Sequence, residues 1–144
     1  MYRELITAQT DDATFFEPAT QALLDAAAES LGVALPTSLA NALLESNGIH
    51  GEYELGLLWP IDRIVNDNLA FRDNSDFRDL YMPFDCLLFL ADAGNGDQFA
   101  YAINNGAVRR NDIFAWNHED DSRTWVAPNL ERYFEWWLNG TITL

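Results

Sequence analysis

Three oxygen-bearing side chains lie close together in the stretch LFLADAGNGDQFAYAI, at residues 88–103. Asp92, Asn95 and Asp97 could supply oxygen ligands to Ca²⁺, and the two glycines between them could let the backbone approach a phosphate. A dinucleotide-binding loop, however, needs three glycines before a helix, and a Walker loop needs a lysine, which the chain lacks. Since the ligand spacing of an EF-hand is also missing, the stretch is interpreted as a tight turn between two strands.

A histidine and three acids stand together in WNHEDD, at residues 116–121. Imidazole and carboxylate groups are typical of general acid–base catalysis and of metal binding. A zinc site requires three or four such ligands at a recognisable spacing, and the only other histidine is the distant His50. Three interpretations remain open: a solvated acidic loop, a protein-binding loop, or a metal-dependent hydrolase site around His118.

A basic protein could bind a loop that combines an aromatic ring with several acids. No residue is assigned to catalysis, a cofactor or a metal, because the chain has no G-x-S-x-G motif and Cys86 lies in a predicted apolar strand, where a thiol is usually inert. The chain is therefore interpreted as a binding protein rather than an enzyme. The candidate partner-binding residues are Asp97, Trp116, His118, Glu119, Asp120 and Asp121.

The charge of the chain restricts its partners. Its 23 acidic residues face only eight basic ones, all arginine, which gives a formal net charge of −15. Nucleic acids and anionic membranes are bound by neutralising their phosphates with Lys or Arg, so neither is an expected partner. A basic protein would be attracted, although acidity also serves solubility alone.

Composition predicts a soluble cytoplasmic protein. The chain has 144 residues, 49% of them hydrophobic, which suffices for the core of a single domain over residues 1–144. Its start, MYRELITAQTDDATFF, has neither the basic nor the apolar region of a signal peptide, and no apolar run is long enough to span a membrane. The single cysteine fits a reducing compartment.

Hydrophobic periodicity changes midway along the chain. Apolar residues at helical spacing predict helices over 17–32, 35–48 and 60–71, with a short strand at 52–59. The second half is predicted to contain strands at 86–92, 97–103 and 112–117, with Asn-Gly pairs at the breaks, and a closing helix at 128–140. Early helices, a three-stranded meander and a C-terminal helix indicate an α+β fold with helices packed on an antiparallel sheet.

Four segments in this order resemble the SUKH superfamily, which includes a fungal cell-wall-synthesis regulator and many bacterial immunity proteins. They are ESLGVALPTSLANALLESNG, LGLLWPIDRIVNDN, LLFLADAGNGDQFAYAI and IFAWNHEDD, followed by the terminal amphipathic helix. The resemblance covers about residues 20–138 and leaves residues 1–16 as an N-terminal extension. The chain departs from the family pattern at Asn117, where an acid is common, and at Ala93, where a glycine is common.

The resemblance implies an α+β domain that binds proteins without cofactor or turnover. Many bacterial relatives neutralise toxins, several of which are nucleases. Because nucleases present basic surfaces to phosphate, this implication agrees with the acidic charge of the chain. The expected function is therefore an immunity protein that blocks a basic toxin, and the alternative within the family is a regulatory scaffold.

Overall fold

Five α-helices and seven β-strands make up an α+β fold, in a computed structural model that describes all of residues 1–144. This confirms the predicted fold class. The helices are α1 (Tyr2–Gln9), α2 (Gln21–Leu31), α3 (Thr37–Glu45), α4 (Ile61–Asp73) and α5 (Leu130–Leu138). The strands are β1 (Thr14–Phe15), β2 (Ile49–His50), β3 (Gly56–Leu58), β4 (Leu87–Asp92), β5 (Gln98–Ala102), β6 (Ile113–Trp116) and β7 (Arg123–Ala127).

Helix α2 shows how local sequence sets the helix ends. The Thr20 hydroxyl accepts a hydrogen bond from the Leu23 amide at 3.2 Å, which satisfies one of the free N–H groups of the first turn. Gly32 ends the helix in the left-handed conformation, with φ at +70°, as its position in the sequence predicts. Leu24 and Leu31 on the same face are buried in the core.

The strands form two antiparallel sheets. One has three strands in the order β1-β2-β3, and the other is a four-stranded meander in the order β4-β5-β6-β7. The predicted three-stranded meander is therefore one strand short. Strand β7, with the sequence RTWVA, escaped prediction because Thr124 and Trp125 in its middle are both exposed and it shows no clear alternation of buried and exposed positions.

Two further local predictions are wrong. The segment 52–59 was predicted as one strand, but it begins with a 3-10 turn at Glu52–Glu54, so only Gly56–Leu58 pairs in the sheet. Cys86 was placed inside a strand, yet it ends the 3-10 turn Phe84–Cys86 and is exposed. Apolar runs do not show where such a turn ends and a strand begins.

The N-terminal segment packs into the core. Ile6 of α1 is fully buried, and the ring of Tyr2 lies 5.8 Å from that of Phe134 on α5. Strand β1 pairs with β2, which places Phe15 opposite Ile49. Residues 1–16, predicted as an extension beyond the family-like region, thus supply one helix and one strand of the fold.

Helix α4 covers the outer edge of strand β4 through a buried asparagine. Asn68 is 1% exposed; its Nδ2 donates to the Phe89 carbonyl at 2.9 Å, and its Oδ1 accepts from the Phe89 amide at 2.8 Å. The next carbonyl, that of Leu90, accepts from the Trp59 amide at 2.8 Å. An edge strand leaves such groups unpaired, so these bonds replace a missing neighbouring strand.

An arginine on the same helix fixes the end of β4. The two terminal nitrogens of Arg63 donate to the two carboxylate oxygens of Asp92 at 2.8 and 2.9 Å. The Arg63 Nε donates to Asp67 at 3.0 Å, and the guanidinium lies 4.1 Å from the Trp59 ring centroid. A bidentate pair of this kind fixes direction as well as distance, so it orients the turn that follows Asp92.

Replacing Asn68 by Ala should lower the free energy of unfolding by about 2–4 kcal/mol, because the buried amide and carbonyl of Phe89 would lose their partner. Urea denaturation of the Asn68→Ala variant measures this. The matched control is Asn111→Ala at an exposed position, for which we expect a change within about 0.5 kcal/mol. Equal stability of both variants would show that the edge of β4 does not need Asn68.

Candidate partner-binding site

Four connecting segments lie together at one end of the domain, and we call them the loop cluster. Three of them connect β2 to β3, β4 to β5 and β6 to β7, and the fourth lies between α4 and β4. Direct contacts between the segments, described below, hold them together. The loop cluster comprises residues 51–55, 93–97, 117–122 and 79–83.

A buried acid joins two of these segments. The Asp97 carboxylate lies 2.6 Å from the Nδ1 of His118 and also accepts the His118 amide at 3.1 Å. Because an ionised carboxylate can only accept, Nδ1 carries the proton of this bond. Gly96 has φ at +98°, and a Cβ there would lie 2.9 Å from the His118 ring, so the close approach of the two loops requires glycine.

The environment of Asp97 lowers its pKa. Asp97 is only 6% exposed, and burial alone would raise the pKa of its carboxyl group. The hydrogen bonds from the side chain and the backbone of His118 favour the charged form and outweigh burial, so the pKa falls below its ordinary value. Asp97 therefore acts as an internal tie between the loops.

Asp121 and Trp116 form a second internal connection. Asp121 accepts hydrogen bonds from the Trp116 indole at 2.7 Å, from the Met82 amide at 2.8 Å and from Arg123 at 3.1 Å. Burial would raise the pKa of Asp121, but these three donors lower it. Trp116 is 3% exposed and its ring packs against those of Phe84 and other aromatic residues.

Two of the six candidate residues, Asp97 and Trp116, are thus buried, and the side chain of a third, Asp121, is only 12% exposed. The sequence gives no sign of which of these side chains turn inward. It therefore predicted Asp97, Trp116 and Asp121 as partner-binding residues together with the exposed acids. The structure brings all six into one region, but it leaves only His118, Glu119 and Asp120 with accessible side chains. Of the six predicted residues, only these three remain candidates for direct contact with a partner.

Glu119 and Asp120 are displayed on a tightly bonded turn. The side chain of Asn117 accepts the Glu119 amide at 2.8 Å, and the Asp120 carboxylate accepts the Ser122 amide at 2.9 Å. This bond to Ser122 lowers the pKa of Asp120. Asn117 is therefore part of the turn that presents the two exposed carboxylates.

Residues 79–83 add an apolar part to the loop cluster. The Tyr81 hydroxyl donates to the His118 carbonyl at 2.9 Å, and its ring packs 5.3 Å from that of Trp116. Beside it, Leu80 is 69% exposed and Met82 is 55% exposed. Sequence reasoning missed this segment, since two exposed apolar side chains around a half-buried ring give no regular period.

The turn at residues 51–55 was also missed. Leu55 approaches Gly94, because a Cβ on that glycine would lie 3.3 Å from the Leu55 side chain. This contact joins the turn to the 93–97 segment. The available signal was the sequence GEYELG, whose two glycines and alternating acids suit a turn better than a strand.

The chemistry of the loop cluster is that of polar and acidic surface. No group of three or more His, Cys, Asp or Glu side chains is arranged to hold a metal ion. His50, the other histidine, lies on β2 with its ring 4.9 Å from that of Phe16. A groove of about 540 Å³ beside the cluster is lined by Asp97, by the two tryptophans Trp125 and Trp136 and by C-terminal residues.

The order of the strands, the glycine turn and the acidic loop describe an α+β domain of the SUKH superfamily. The chain belongs to its SMI1-KNR4 cell-wall family, SUKH_6, whose model matches residues 21–134. A comparison with curated proteins found no match. Family membership is consistent with a non-catalytic immunity or interaction domain. None of the helices is both long and apolar enough to cross a membrane.

Replacing Gly96 by Ala should reduce stability by about 2–4 kcal/mol, since the new methyl group meets the His118 ring and φ is positive. Gly106→Ala is the matched control, because Gly106 has φ at +75° and nothing within 4 Å of a Cβ. We expect it to cost about 1 kcal/mol, from the backbone conformation alone. Equal losses in thermal denaturation would refute the close packing of the two loops.

The lowered pKa of Asp97 implies a loss of stability in acid. In the unfolded chain the carboxyl group titrates near 3.8, whereas in the folded chain it keeps its charge to lower pH. The stabilisation is therefore present above pH 3.8 and disappears as pH falls through the folded pKa. Urea midpoints measured between pH 6 and pH 3 should fall less steeply for Asp97→Asn than for the wild type, and parallel curves would contradict this.

Proposed function

We propose that this chain is a non-catalytic immunity protein, which neutralises a basic toxin domain by covering its surface. The observation that carries the proposal is the exposed acidic turn at Glu119 and Asp120, held in place by internal bonds in a chain with a net charge of −15. A fixed turn loses little conformational entropy when a partner binds. Its carboxylates can accept hydrogen bonds from arginine or lysine side chains.

The balance of charges within the chain supports a basic partner. Only four arginines form ion pairs with acidic side chains: Arg63, Arg110, Arg123 and Arg132. Most of the 23 acidic residues therefore keep an uncompensated charge. A surface of one sign accelerates encounter with a surface of the opposite sign and suppresses binding to other acidic molecules.

A nuclease is the class of toxin that this charge fits best. An enzyme that grips the phosphates of nucleic acid needs clustered lysine and arginine around its active site. The acidic loop cluster would occupy that region in place of the substrate. Inhibition would then follow from blocked access, with no cofactor and no reaction. The exposed free thiol of Cys86 supports a reducing location such as the cytoplasm.

A regulatory scaffold is the second candidate. The observation that favours it is the description of the matching family as a cell-wall family. A scaffold would bind components of envelope synthesis through the same loops. The identity of the bound protein separates the two candidates, since a toxin domain supports immunity and an envelope enzyme supports scaffolding.

The combined substitution Glu119→Gln and Asp120→Asn should weaken binding of the basic partner and leave folding intact. Affinity capture with the wild-type chain, at low and at high salt, identifies the partner by mass spectrometry and provides it for calorimetry. We expect about a tenfold loss of affinity at low salt, and a smaller difference at high salt because salt screens exposed charges. Asp121 is left unchanged, since it bonds to Trp116, Met82 and Arg123.

The matched control replaces Asp11 and Asp12, both exposed, by Asn. It removes the same amount of charge outside the loop cluster, so it should alter affinity much less. Equal effects of the two double variants would mean that net charge acts without a defined site. Unchanged binding in both, or a captured partner that is acidic, would contradict the proposal.

A further inference from the structure

The turn between β2 and β3 displays a tyrosine almost completely to solvent. Tyr53 is 93% exposed, more than any other large apolar side chain of the chain. It makes no aromatic contact and no side-chain hydrogen bond within the domain. Aromatic side chains are costly to leave in water and are enriched among the residues that contribute most to protein interfaces.

The turn is held in place by its own backbone. The Gly51 amide donates to the Leu55 carbonyl at 2.7 Å, and the Leu55 amide donates to the Glu52 carbonyl at 3.2 Å. Beneath the turn, a Cβ on Gly51 would lie 3.1 Å from the buried side chain of Leu57. Tyr53 is therefore presented from a fixed support rather than from a loose loop, which lowers the entropy lost on binding.

Both residues that flank Tyr53 carry unpaired carboxylates. Glu52 and Glu54 are exposed, and neither forms an ion pair within the chain. Tyr53 and Glu54 also have left-handed backbones, with φ at +56° and +59°, a conformation that L-residues adopt at a cost of about 1–3 kcal/mol each. The Tyr53 side chain makes no hydrogen bond or aromatic contact within the domain that would offset this cost.

The turn is continuous with the acidic loop cluster. Leu55 contacts the 93–97 segment at Gly94, and Gly96 of that segment packs against His118. A partner that covers Glu119 and Asp120 therefore meets a surface that extends towards Tyr53. The 93–97 segment thus connects the turn that carries Tyr53 with the turn that carries the two exposed acids.

We propose that Tyr53 is an anchor for the basic partner, with an arginine of that partner stacked on its ring and further cationic groups paired with Glu52 and Glu54. This proposal rests on the proposed function and names the contact that the exposed turn makes. The electron-rich face of tyrosine attracts a guanidinium within about 6 Å, and the neighbouring carboxylates attract the further cations. An acidic or purely apolar partner would leave Glu52 and Glu54 desolvated without compensation.

An NMR titration with a blocked hexa-arginine peptide as the probe tests this contact. Chemical shifts of residues 52–54 should move on addition of the peptide, and Tyr53→Ala should weaken its affinity about threefold to fivefold, the effect of one exposed cation–π contact. Tyr53→Phe keeps the ring and should bind like the wild type. Leu23→Ala is the control, because Leu23 is 49% exposed on α2 and has no acidic frame of this kind.

The inference is overturned if Tyr53→Ala binds the peptide as tightly as the wild type, if the shifts arise elsewhere, or if the peptide does not bind. Its failure is distinguishable from failure of the proposed function. If binding of the captured partner depends on Glu119 and Asp120 while Tyr53→Ala has no effect on peptide binding, the proposed function stands and the Tyr53 anchor is refuted. If the Tyr53 turn binds the arginine peptide but the captured partner is acidic, the arginine-binding turn stands and the proposed function is refuted.

Discussion

The hydrogen bonds between Asn68 and the backbone of Phe89 are the interaction on which the rest of the structure depends. Strand β4 begins the meander, and its outer edge would expose unpaired groups to solvent or to another chain. The side chain of Asn68 supplies both a donor and an acceptor there, and the Trp59 amide satisfies the following carbonyl. The covered edge joins the helical half to the sheet, so every loop that leaves the sheet begins from a fixed strand.

Charged side chains that bond within the domain then fix the positions of the loops that follow this strand. Arg63 orients Asp92 at the end of β4, Asp97 holds His118 across the hairpin, and Asp121 holds the base of the acidic loop. The carboxylate of each of these acids accepts hydrogen bonds from side chains within the domain. The Glu119 side chain makes no such bond, and Asp120 bonds only to Ser122 of its own turn, so the turn is held in place while both exposed carboxylates stay available to a partner.

Sequence reasoning predicted the fold class, the helices α2 to α5 and the glycine turn, because apolar periodicity and Asn-Gly pairs report local structure. It missed α1, β1, β2 and β7, whose buried residues are few. The residue types of the site could be read, but their orientation could not. Whether Asp121 or Asp120 turns inward depends on the Met82 amide, which comes from another part of the chain.

Hydrogen–deuterium exchange of the chain, alone and bound to the captured partner, tests most directly whether the loop cluster is the binding surface. Binding there should slow exchange of the backbone amides at residues 51–55, 93–97 and 117–122 and leave α2 and α3 unchanged. Protection confined to α2 and α3, with the loop cluster exchanging as in the free chain, would contradict the assignment of the binding surface to these loops.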